Sequence, residues 1–516
     1  MTTPQNNTDK PARRRGRGES QTLSVRQPDY RNLRNPFIPQ PVFSDDQVHT
    51  IHATALKILQ ELGLKVLLPQ ALDLFRAAGA IVNEDTQMVR IGADIVTAAL
   101  ASAPRAILCR AGDHARDVRF ELGQLNFLAG CGSPNVSDID RGRRPGTLAD
   151  FENAVRLSQS FDVLHLQGPF VEPQDIDARF RHYAMNRAQL TLSDKLPNIY
   201  ARGTPQVEDG FEMIRLARNL TEAEFLAGAH CWTVINTNSP RQLDIPMAQG
   251  IIDFARFGQP TIITPFCLAG AMAPITVAGA LALQHAEALA GITLAQITRA
   301  GAPVVYGSFA SNVDMRSGAP AFGTPEHIKA TLGSGQLARL IGLPWRSGAG
   351  SAANSPDVQA AHETQFGLWA SVLAGSTLCI HAAGWLEGGL TFSFEKLITD
   401  VEALQTLAEL CLPTPGDTDS IGYDAIAEVA PGGHFFSAQH TMSRYRTAFY
   451  EPVVADLSNF GSWTNAGSVG STERARSVWK RLLAEFKPPA SSLTTVDVLD
   501  EFIARRSSQG GAPPVS

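Results

Sequence analysis

Short apolar segments recur along most of the chain, at intervals of about 30 to 43 residues from residue 124 onward. Each segment is four to six residues long, is mostly apolar, and leads into a loop of Gly, Ser, Asn or Pro. This length and these flanking loops are typical of buried parallel strands. The pattern predicts eight strands, at residues 125–129, 163–167, 197–201, 231–235, 261–266, 304–307, 344–347 and 378–381.

Helical patterns fill the intervals between these strands, with apolar residues three and four positions apart. Strands that alternate with helices predict a parallel sheet, and eight such units match a (β/α)8 TIM barrel in number and size. A doubly wound open sheet is the alternative, but it usually has fewer strands, and no G-x-G-x-x-G motif follows the first strand. The main predicted helices span residues 147–159, 207–217, 240–255, 276–298, 325–340, 357–373 and 394–410.

The regions on either side of this repeat have different patterns. The first residues are polar, rich in Arg and Gly, and without periodicity, which is typical of a disordered tail. Ser44 is a good N-cap for a first helix that ends at Gly63, and alternating segments follow. The predicted organisation is a tail at 1–28, an N-terminal α+β cap at 29–123, the barrel at 124–412, a C-terminal helical extension at 413–506, and a disordered tail at 507–516.

Composition and charge exclude several classes of function. The 44 basic and 50 acidic residues leave a net charge of −6, so no general basic surface is available for nucleic acid. The six cysteines include no C-x-x-C pair, and reduced thiols are expected. The N-terminus lacks the apolar core of a signal peptide, and the uncharged stretch at 258–284 is interrupted by Pro265, Gly270 and Pro274. We expect a soluble cytoplasmic protein that binds neither membrane nor nucleic acid.

Candidate functional residues follow from the strand ends. In a (β/α)8 barrel the loops after the strands converge on one face and carry the catalytic groups. The predicted strand ends contain amides, hydroxyls and aromatic rings but no lysine, so a Schiff-base mechanism lacks its nucleophile. Aromatic faces attract quaternary ammonium ions, so a small polar or cationic ligand is favoured over a phosphate. The candidates are Asn236, Phe266, Tyr306, Phe309, Asn312, His381, Trp385 and Glu387.

Three further observations concern residues near these ends. Glu363 lies in the helix after the seventh strand, and His434 lies in a loop at 431–436 that could close over the barrel mouth. Both are candidates for substrate binding. Cys267, Cys379 and His381 raise the alternative of a zinc site, but the loop-spaced ligand pairs usual for zinc are missing, so no metal is expected.

Distinctive motifs lie at residues 317–326, 335–339, 356–363, 381–390, 394–396 and 431–436. These motifs resemble those of the trimethylamine methyltransferase family of corrinoid-dependent enzymes, and the resemblance covers about residues 30 to 505. It implies a (β/α)8 barrel, which agrees with the strand count, and a cobalamin (corrinoid) supplied by a small partner protein rather than bound covalently to this chain.

One position departs from the pattern of that family. Its archaeal members carry pyrrolysine in the loop after the seventh strand, and Asn354 stands at or beside that position in this chain. A tertiary amine needs a fourth bond before it can leave, whereas a quaternary ammonium leaves as a neutral amine and needs only positioning and a strong nucleophile. The resemblance therefore implies a betaine-like substrate rather than trimethylamine, with Asn354, Glu387 and His381 as candidate catalytic residues.

The function that the resemblance implies is transfer of a methyl group from a small quaternary amine to cob(I)alamin on a corrinoid protein. We expect a pocket lined by aromatic rings and carboxylates, with Asn236, Asn312, Ser311 or Asn354 available for a substrate carboxylate. The alternatives are a non-catalytic barrel that binds quaternary amines, and a trimethylamine-specific or zinc-dependent methyltransferase. Assembly into a homo-oligomer is also expected.

Overall fold

The computed structural model describes residues 29–490 and 495–515. In this part of the chain strands and helices alternate, and the largest sheet has seven strands, six of them parallel. The predicted tail at 1–28 lies outside the described residues. The strands are β1 (Leu33–Arg34), β2 (Leu64–Val66), β3 (Ile81–Asn83), β4 (Met88–Arg90), β5 (Ala106–Cys109), β6 (Val118–Glu121), β7 (Gln124–Phe127), β8 (Asn135–Asp138), β9 (Gly142–Pro145), β10 (Thr233–Ile235), β11 (Gln242–Leu243), β12 (Thr261–Ile263), β13 (Leu268–Ala269), β14 (Val304–Gly307), β15 (Ser311–Val313), β16 (Pro320–Ala321), β17 (Trp345–Gly348), β18 (Leu378–Ile380), β19 (Trp385–Leu386) and β20 (Thr391–Ser393).

The six parallel strands follow the order β7, β18, β17, β14, β12, β10, and β1 pairs antiparallel with the other edge of β7. Nearly every residue of these six strands is buried, as parallel strands require when helices cover the sheet. In register, Ile262 of β12 lies opposite Val305 of β14. Six of the eight predicted strands are confirmed to within three residues.

The second and third predicted strands do not form regular strands, so these two predictions are wrong. Residues 163–167 and 197–201 contribute isolated parallel bridges, Leu166 to Leu196 and Asn198 to Trp232. Gly168, Pro169 and Pro197 interrupt the ladder there, because proline has no N–H to donate. Backbone hydrogen bonds still link the segments to their neighbours: His165 N donates to the Phe127 carbonyl at 2.9 Å, and Ile199 N donates to the Trp232 carbonyl at 3.1 Å.

The helices are α1 (Asp45–Lys57), α2 (Pro69–Ala77), α3 (Ala93–Ser102), α4 (Leu148–Ser160), α5 (Ala178–Leu192), α6 (Thr204–Arg218), α7 (Glu222–Ala227), α8 (Ile245–Phe257), α9 (Val277–Thr298), α10 (Pro325–Ile341), α11 (Val358–Leu373), α12 (Phe394–Leu410), α13 (Thr418–Ile421), α14 (Tyr423–Glu428), α15 (Gln439–Arg444), α16 (Phe460–Asn465), α17 (Ser471–Glu485) and α18 (Val496–Ser508). Ser44 caps α1 in a capping box, as predicted. The helix α5 was not predicted, because its buried face includes His182, Asn186 and Gln189 and so lacks an apolar stripe.

The N-terminal region packs on the parallel sheet through α9. Helices α1 and α3 both contact α9, and β2 of this region pairs with β11, which follows β10 in the chain. Helix α9 is long and apolar enough to cross a membrane, but 83% of its most apolar stretch is buried inside the protein. The apolar composition of α9 therefore reflects its place between the sheet and the N-terminal helices.

The C-terminal end is ordered further than the sequence predicted. Residues 509–515, expected to be a disordered tail, pack against the rest of the protein: Ala512 N donates to the Arg179 carbonyl, and Val515 N donates to the Arg202 carbonyl at 3.0 Å. Gln206 Nε2 donates to the Ala512 carbonyl at 2.7 Å. A short terminal segment can be held by such backbone contacts although it has no apolar periodicity from which its order could be predicted.

Candidate active site

A cavity of about 480 Å³ lies where the parallel strands and the segments 163–167 and 197–201 end. This volume is typical of sites for small molecules. Its position at the carboxyl ends of parallel strands is the one expected for a functional site in α/β folds. The lining includes Cys131, Pro169, Glu172, Asn198, Tyr200, Arg202, Trp232, Asn236, Thr264, Phe266, Phe309, Arg346, His381, Trp385 and Leu390.

Aromatic rings form one wall of this cavity. The ring centroids of Phe266 and Phe309 are 5.2 Å apart, and those of Phe309 and Trp385 are 5.6 Å apart. His381 stacks on Trp385 at 4.3 Å with 23° between the ring planes. Trp232 also lines the cavity. Such a wall offers several π faces to a cation, each contributing about 0.5–2 kcal/mol of attraction.

Glycines make room for Trp385. A Cβ atom at Gly350 would lie 2.1 Å from the indole Cε3 atom, and one at Gly389 would lie 2.5 Å from Cζ2. A Cβ atom at Gly130 would lie 2.9 Å from the indole Cδ1 atom. The loop after β17 contains no obvious catalytic side chain, but its Gly350 lets the backbone approach the Trp385 ring closely.

His381 follows β18 with a left-handed backbone, φ 60°. Its Nδ1 atom accepts a hydrogen bond from the backbone N–H of Cys131 at 3.2 Å, so the neutral ring carries its proton on Nε2. Burial, and secondarily the nearby Arg346, lowers the pKa of His381 well below its usual value, so the ring is neutral near pH 7. Trp385 Nε1 donates to the Cys131 carbonyl at 3.2 Å, which fixes the second ring of the pair.

Arg346 lies in β17, is only 2% exposed, and lines the cavity. Its Nη1 atom donates to the Ser308 carbonyl at 3.3 Å, and its guanidinium carbon lies 4.8 Å from the ring centroid of Phe309. The Nε atom has no hydrogen-bond partner among the described residues. Burial lowers the pKa of Arg346 to about 10, so the side chain stays cationic near neutral pH.

The other charged groups at the cavity are already engaged. Glu172, the acidic residue of the described lining, forms an ion pair with Arg181 at 2.6 Å. The guanidinium carbon of Arg202 lies 5.6 Å from the Tyr200 ring centroid, and this arginine is exposed. The cavity therefore combines aromatic faces with a buried positive charge, rather than with the carboxylates that the sequence predicted.

Comparison with known proteins identifies the family. The family model described as "Trimethylamine methyltransferase (MTTB)" matches residues 10–511. The chain is 34% identical over 476 residues to glycine betaine methyltransferase of Desulfitobacterium hafniense strain Y51, covering 91% of this chain and 98% of that protein. The chain belongs to the trimethylamine methyltransferase family. The resemblance read from the motifs is thus confirmed, and the chain is a methyltransferase.

Two other members of the trimethylamine methyltransferase family are more distant. Trimethylamine methyltransferase MttB of Desulfitobacterium hafniense strain DSM 10664 / DCB-2 is 28% identical, over 86% of this chain and 90% of its own length. Trimethylamine methyltransferase MttB1 of Methanosarcina mazei is 27% identical, over 83% of this chain and 87% of its own length. All three relatives align along nearly their whole length.

For this member of the trimethylamine methyltransferase family, five of the predicted site residues line one cavity. They are Asn236, Phe266, Phe309, His381 and Trp385. The amide of Asn236 is exposed and forms no hydrogen bond with the described residues, so it is available to a ligand. Strand-end position was the signal that found these residues.

Three other predicted residues lie away from the cavity lining. Tyr306 is fully buried, and its hydroxyl lies 3.1 Å from His285 Nδ1 in the core. Asn312 lies in β15 outside the cavity lining and accepts a hydrogen bond from the Thr324 hydroxyl at 2.8 Å. His434 is exposed beside Phe436 in the C-terminal region. Tyr306 was misplaced because its side chain points outward from the strand, toward the helix layer.

The two predicted carboxylates are bound by other protein groups, and Asn354 lies outside the cavity. Glu387 accepts from Arg143 Nε at 2.9 Å and from the Thr391 hydroxyl at 2.9 Å. Glu363 accepts from the backbone N–H of Ala352 at 2.8 Å and holds the loop after β17. Asn354 is exposed and is absent from the cavity lining. An ion pair or a loop contact satisfies each carboxylate, so neither is free to face a substrate cation.

The three residues considered for a zinc site, Cys267, Cys379 and His381, do not lie together. Cys379 Sγ donates to the Ser371 hydroxyl at 3.5 Å, whereas Cys267 Sγ lies 3.1 Å from the Ser239 hydroxyl. His381 faces Trp385. Among the residues that the structure describes, no group of three or more His, Cys, Asp or Glu side chains is placed to hold a metal ion.

Sequence reasoning missed several lining residues, above all Arg346, Trp232 and Tyr200. Tyr200 lies within the irregular third segment, whose end was poorly defined by the sequence. Trp232 lies near the start of the fourth predicted strand, whereas candidates were sought at the strand ends. Arg346 did leave a signal: an arginine stands between Trp345 and Ser347 inside a predicted buried strand. Arginine is almost never fully buried unless it is paired, so such a position indicates a special role.

Proposed function

We propose that this methyltransferase demethylates a small quaternary ammonium compound of the betaine type and delivers the methyl group to the cob(I)alamin of a separate corrinoid protein. Family membership and the 34% identity to a glycine betaine methyltransferase support the reaction class. The observation that carries the proposal is the aromatic wall of Phe266, Phe309 and Trp385, together with Trp232, around a cavity of about 480 Å³.

The chemistry fits a quaternary substrate. In the transfer, the bond from nitrogen to a methyl carbon breaks, the nitrogen keeps the electron pair, and the amine leaves neutral. The electron pair of the new bond to carbon comes from the acceptor, so the site does not have to activate the leaving group covalently. Its tasks are to hold the cation, exclude water and orient one methyl group toward the acceptor.

Aromatic faces suit the first two tasks. They attract the diffuse charge of the ammonium without giving it a carboxylate that would stabilise the ground state by a full ion pair. As the methyl group departs, the charge on nitrogen disappears, so strong ion pairing to the cation would oppose the reaction. The pairing of Glu172 with Arg181 and of Glu387 with Arg143 removes such carboxylates from the site.

His381 is proposed as a positioning residue rather than an acid or base. Its neutral ring accepts from Cys131 N–H through Nδ1, and it supports the face of Trp385 by stacking. The reaction as written needs no proton transfer to the leaving amine, which is consistent with a histidine whose pKa is lowered well below its usual value. Asn354, exposed and outside the lining, receives no role in this proposal.

We also propose that the six regular strands close into a (β/α)8 barrel through segments 163–167 and 197–201. Support comes from the hydrogen bonds that link β7 to the first segment, the two segments to each other, and the second segment to β10. In this arrangement residues 29–123 form an N-terminal cap, 124–412 the barrel and 413–506 a helical extension. All eight units would then present their carboxyl ends to one cavity.

A cytoplasmic homo-oligomer is the proposed state of the protein. Between α13 and α16 several large apolar side chains are exposed, among them Ile421, Phe436, Phe449 and Phe460, which are 62–82% exposed. Large apolar side chains left exposed in this number are typical of surfaces that bind another protein. Light scattering coupled to size-exclusion chromatography measures the assembly, and a monomer at all concentrations would contradict it.

A spectroscopic assay tests the reaction. Purified protein is mixed with chemically reduced cob(I)alamin and glycine betaine, and formation of methylcobalamin is followed in the visible spectrum while dimethylglycine is quantified. We expect the two products in equal amounts. The control ligand is 3,3-dimethylbutanoate, which has the same shape and carboxylate but no ammonium methyl group to donate. If none of a panel of quaternary amines yields methylcobalamin, the proposed reaction is wrong.

A further inference from the structure

Arg346 is a buried cation without an anionic partner. No carboxylate of the described residues lies within ion-pair distance of its guanidinium, its Nε atom has no hydrogen-bond partner, and one N–H donates to the Ser308 carbonyl. The five N–H donors of an arginine are rarely left so unused in a protein interior. An unpaired buried charge is costly, so it is retained where something outside the protein pairs with it.

The cavity that Arg346 lines can admit such a partner. The guanidinium packs against the ring of Phe309, with its carbon 4.8 Å from the ring centroid, and this same ring belongs to the aromatic wall. A ligand held by the wall therefore lies beside the arginine. Planar guanidinium groups favour carboxylates, because two parallel N–H donors match the two carboxylate oxygens.

We propose that Arg346 binds the carboxylate of the substrate and thereby restricts the enzyme to betaines, quaternary ammonium compounds that also carry a carboxylate. This inference rests on the proposed function for the ammonium group, and it adds the residue that recognises the other end of the molecule. The sequence pointed to Asn236, Asn312, Ser311 or Asn354 for this task, and neither Ser311 nor Asn354 lines the cavity. Asn312 lies outside the cavity, and Asn236 carries no charge.

The charge balance of the site favours a zwitterion. With Glu172 already paired to Arg181, the buried charge left at the cavity is that of Arg346. Choline or tetramethylammonium would bring a second positive charge into the same enclosed space, and like charges at close range repel strongly in a medium of low polarity. A betaine instead neutralises the arginine with its carboxylate and leaves its ammonium group to the aromatic rings.

Binding measurements test the inference without relying on catalysis. Trp232 and Trp385 line the cavity, so their fluorescence is expected to report ligand binding. The ligands are glycine betaine, its methyl ester, which lacks the negative charge, and tetramethylammonium. Wild-type protein is expected to bind glycine betaine at least about 100-fold more tightly than the ester, since the ester leaves the buried charge unpaired.

The variant Arg346→Gln is expected to weaken glycine betaine binding by about 100-fold and to reduce the preference over the ester to about threefold or less. Arg346→Lys keeps the charge without the paired donors and is expected to weaken binding by about tenfold. The matched control is Arg339→Gln, because Arg339 also donates to a backbone carbonyl, that of Ala374, but lies outside the cavity lining. Its betaine affinity is expected to match wild type.

Two measurements decide whether Arg346 binds the substrate carboxylate. If folded Arg346→Gln and Arg346→Lys proteins both bind glycine betaine within about threefold of wild type, Arg346 does not bind the carboxylate. The assay of methylcobalamin formation separates this result from failure of the proposed function. Betaine turnover with an unchanged KM in Arg346→Gln would overturn only the role of the arginine. Arginine-dependent binding with no methyl transfer to cob(I)alamin would overturn only the reaction.

Discussion

Two buried cations in this protein have opposite surroundings. Lys396 of α12 is 1% exposed, and its ammonium group donates to Asp400 at 2.9 Å, to the Thr364 hydroxyl at 2.8 Å and to the Ala360 carbonyl at 3.2 Å. Arg346 of β17 is 2% exposed, yet its side chain makes one long hydrogen bond and no ion pair among the described residues. All three donors of the lysine are used, whereas most donors of the arginine are not.

The difference separates a structural charge from one that faces a ligand. A buried cation whose donors are satisfied by the fold holds elements together, and its removal leaves an uncompensated carboxylate behind. A buried cation with spare donors beside a cavity weakens the fold by its own desolvation, and it becomes favourable when a ligand supplies the anion. The two residues are equally buried, so burial alone does not distinguish a structural cation from one that faces a ligand. The number of unused hydrogen-bond donors does distinguish them.

The largest effect is expected from Lys396→Met. This change leaves Asp400 buried without its cation, and we expect the free energy of unfolding to fall by about 3–5 kcal/mol. Urea denaturation followed by circular dichroism measures the loss. Lys329→Met on the exposed face of α10 is the control, with a change of about 0.5 kcal/mol or less. A loss of under about 1 kcal/mol in Lys396→Met would mean that Lys396 is not a structural cation and does not differ from Arg346 in this respect.

Arg346→Met is expected to act in the opposite direction on stability. Without ligand, removal of an unpaired buried charge should leave the free energy of unfolding unchanged or raise it by about 1 kcal/mol, because the desolvation cost disappears. The same denaturation experiment measures it. A loss as large as that of Lys396→Met would mean that the arginine, too, is a structural cation.

Gly350→Ala tests how the aromatic wall is built. A Cβ atom there would lie 2.1 Å from the Trp385 indole, so the ring must move, and we expect betaine affinity to fall by about tenfold. Tryptophan fluorescence titration measures the affinity. Gly416→Ala has open space around its Cβ position and serves as the control. Unchanged betaine affinity in Gly350→Ala would exclude the indole position as a determinant of binding.

Phe266→Leu separates attraction of the cation from attraction of the carboxylate. Loss of one aromatic face should weaken glycine betaine binding by about three- to fivefold. Binding of 3,3-dimethylbutanoate, which has a neutral tert-butyl group in place of the ammonium, should change by less than about twofold. Competition titrations measure both affinities, and equal losses for the two ligands would show that Phe266 provides shape rather than attraction to charge.

The smallest effect is expected from pH in the neutral range. His381 has a pKa lowered well below its usual value and stays neutral, and Arg346, with its pKa lowered to about 10, stays charged. Betaine affinity should therefore be constant from about pH 6 to 9 and should weaken only as pH rises through about 10, where the arginine loses its proton. A bound carboxylate favours the charged form and shifts this loss to higher pH. A titration centred near pH 6.5 would contradict the neutral assignment of His381.

The sequence by itself determined the alternation of strands and helices and the strand ends that carry Asn236, Phe266, Phe309, His381 and Trp385. Apolar periodicity and loop composition are local properties, and parallel strands bring their carboxyl ends to one edge. The motifs were also long enough to identify the family. Local patterns failed where local chemistry is irregular, as in segments 163–167 and 197–201, where Pro169 and Pro197 interrupt the ladder.

Only the tertiary structure decided which charges are satisfied. Glu387 and Glu363 have the residue type of a cation site, but Arg143 and the loop after β17 occupy them through contacts that no spacing in the sequence reveals. Arg346 lies between Trp345 and Ser347 in β17, and this local sequence does not reveal whether an acidic side chain from elsewhere in the fold pairs with it. Pairing of buried charges depends on contacts between distant parts of the chain, and such contacts exist only once the protein has folded.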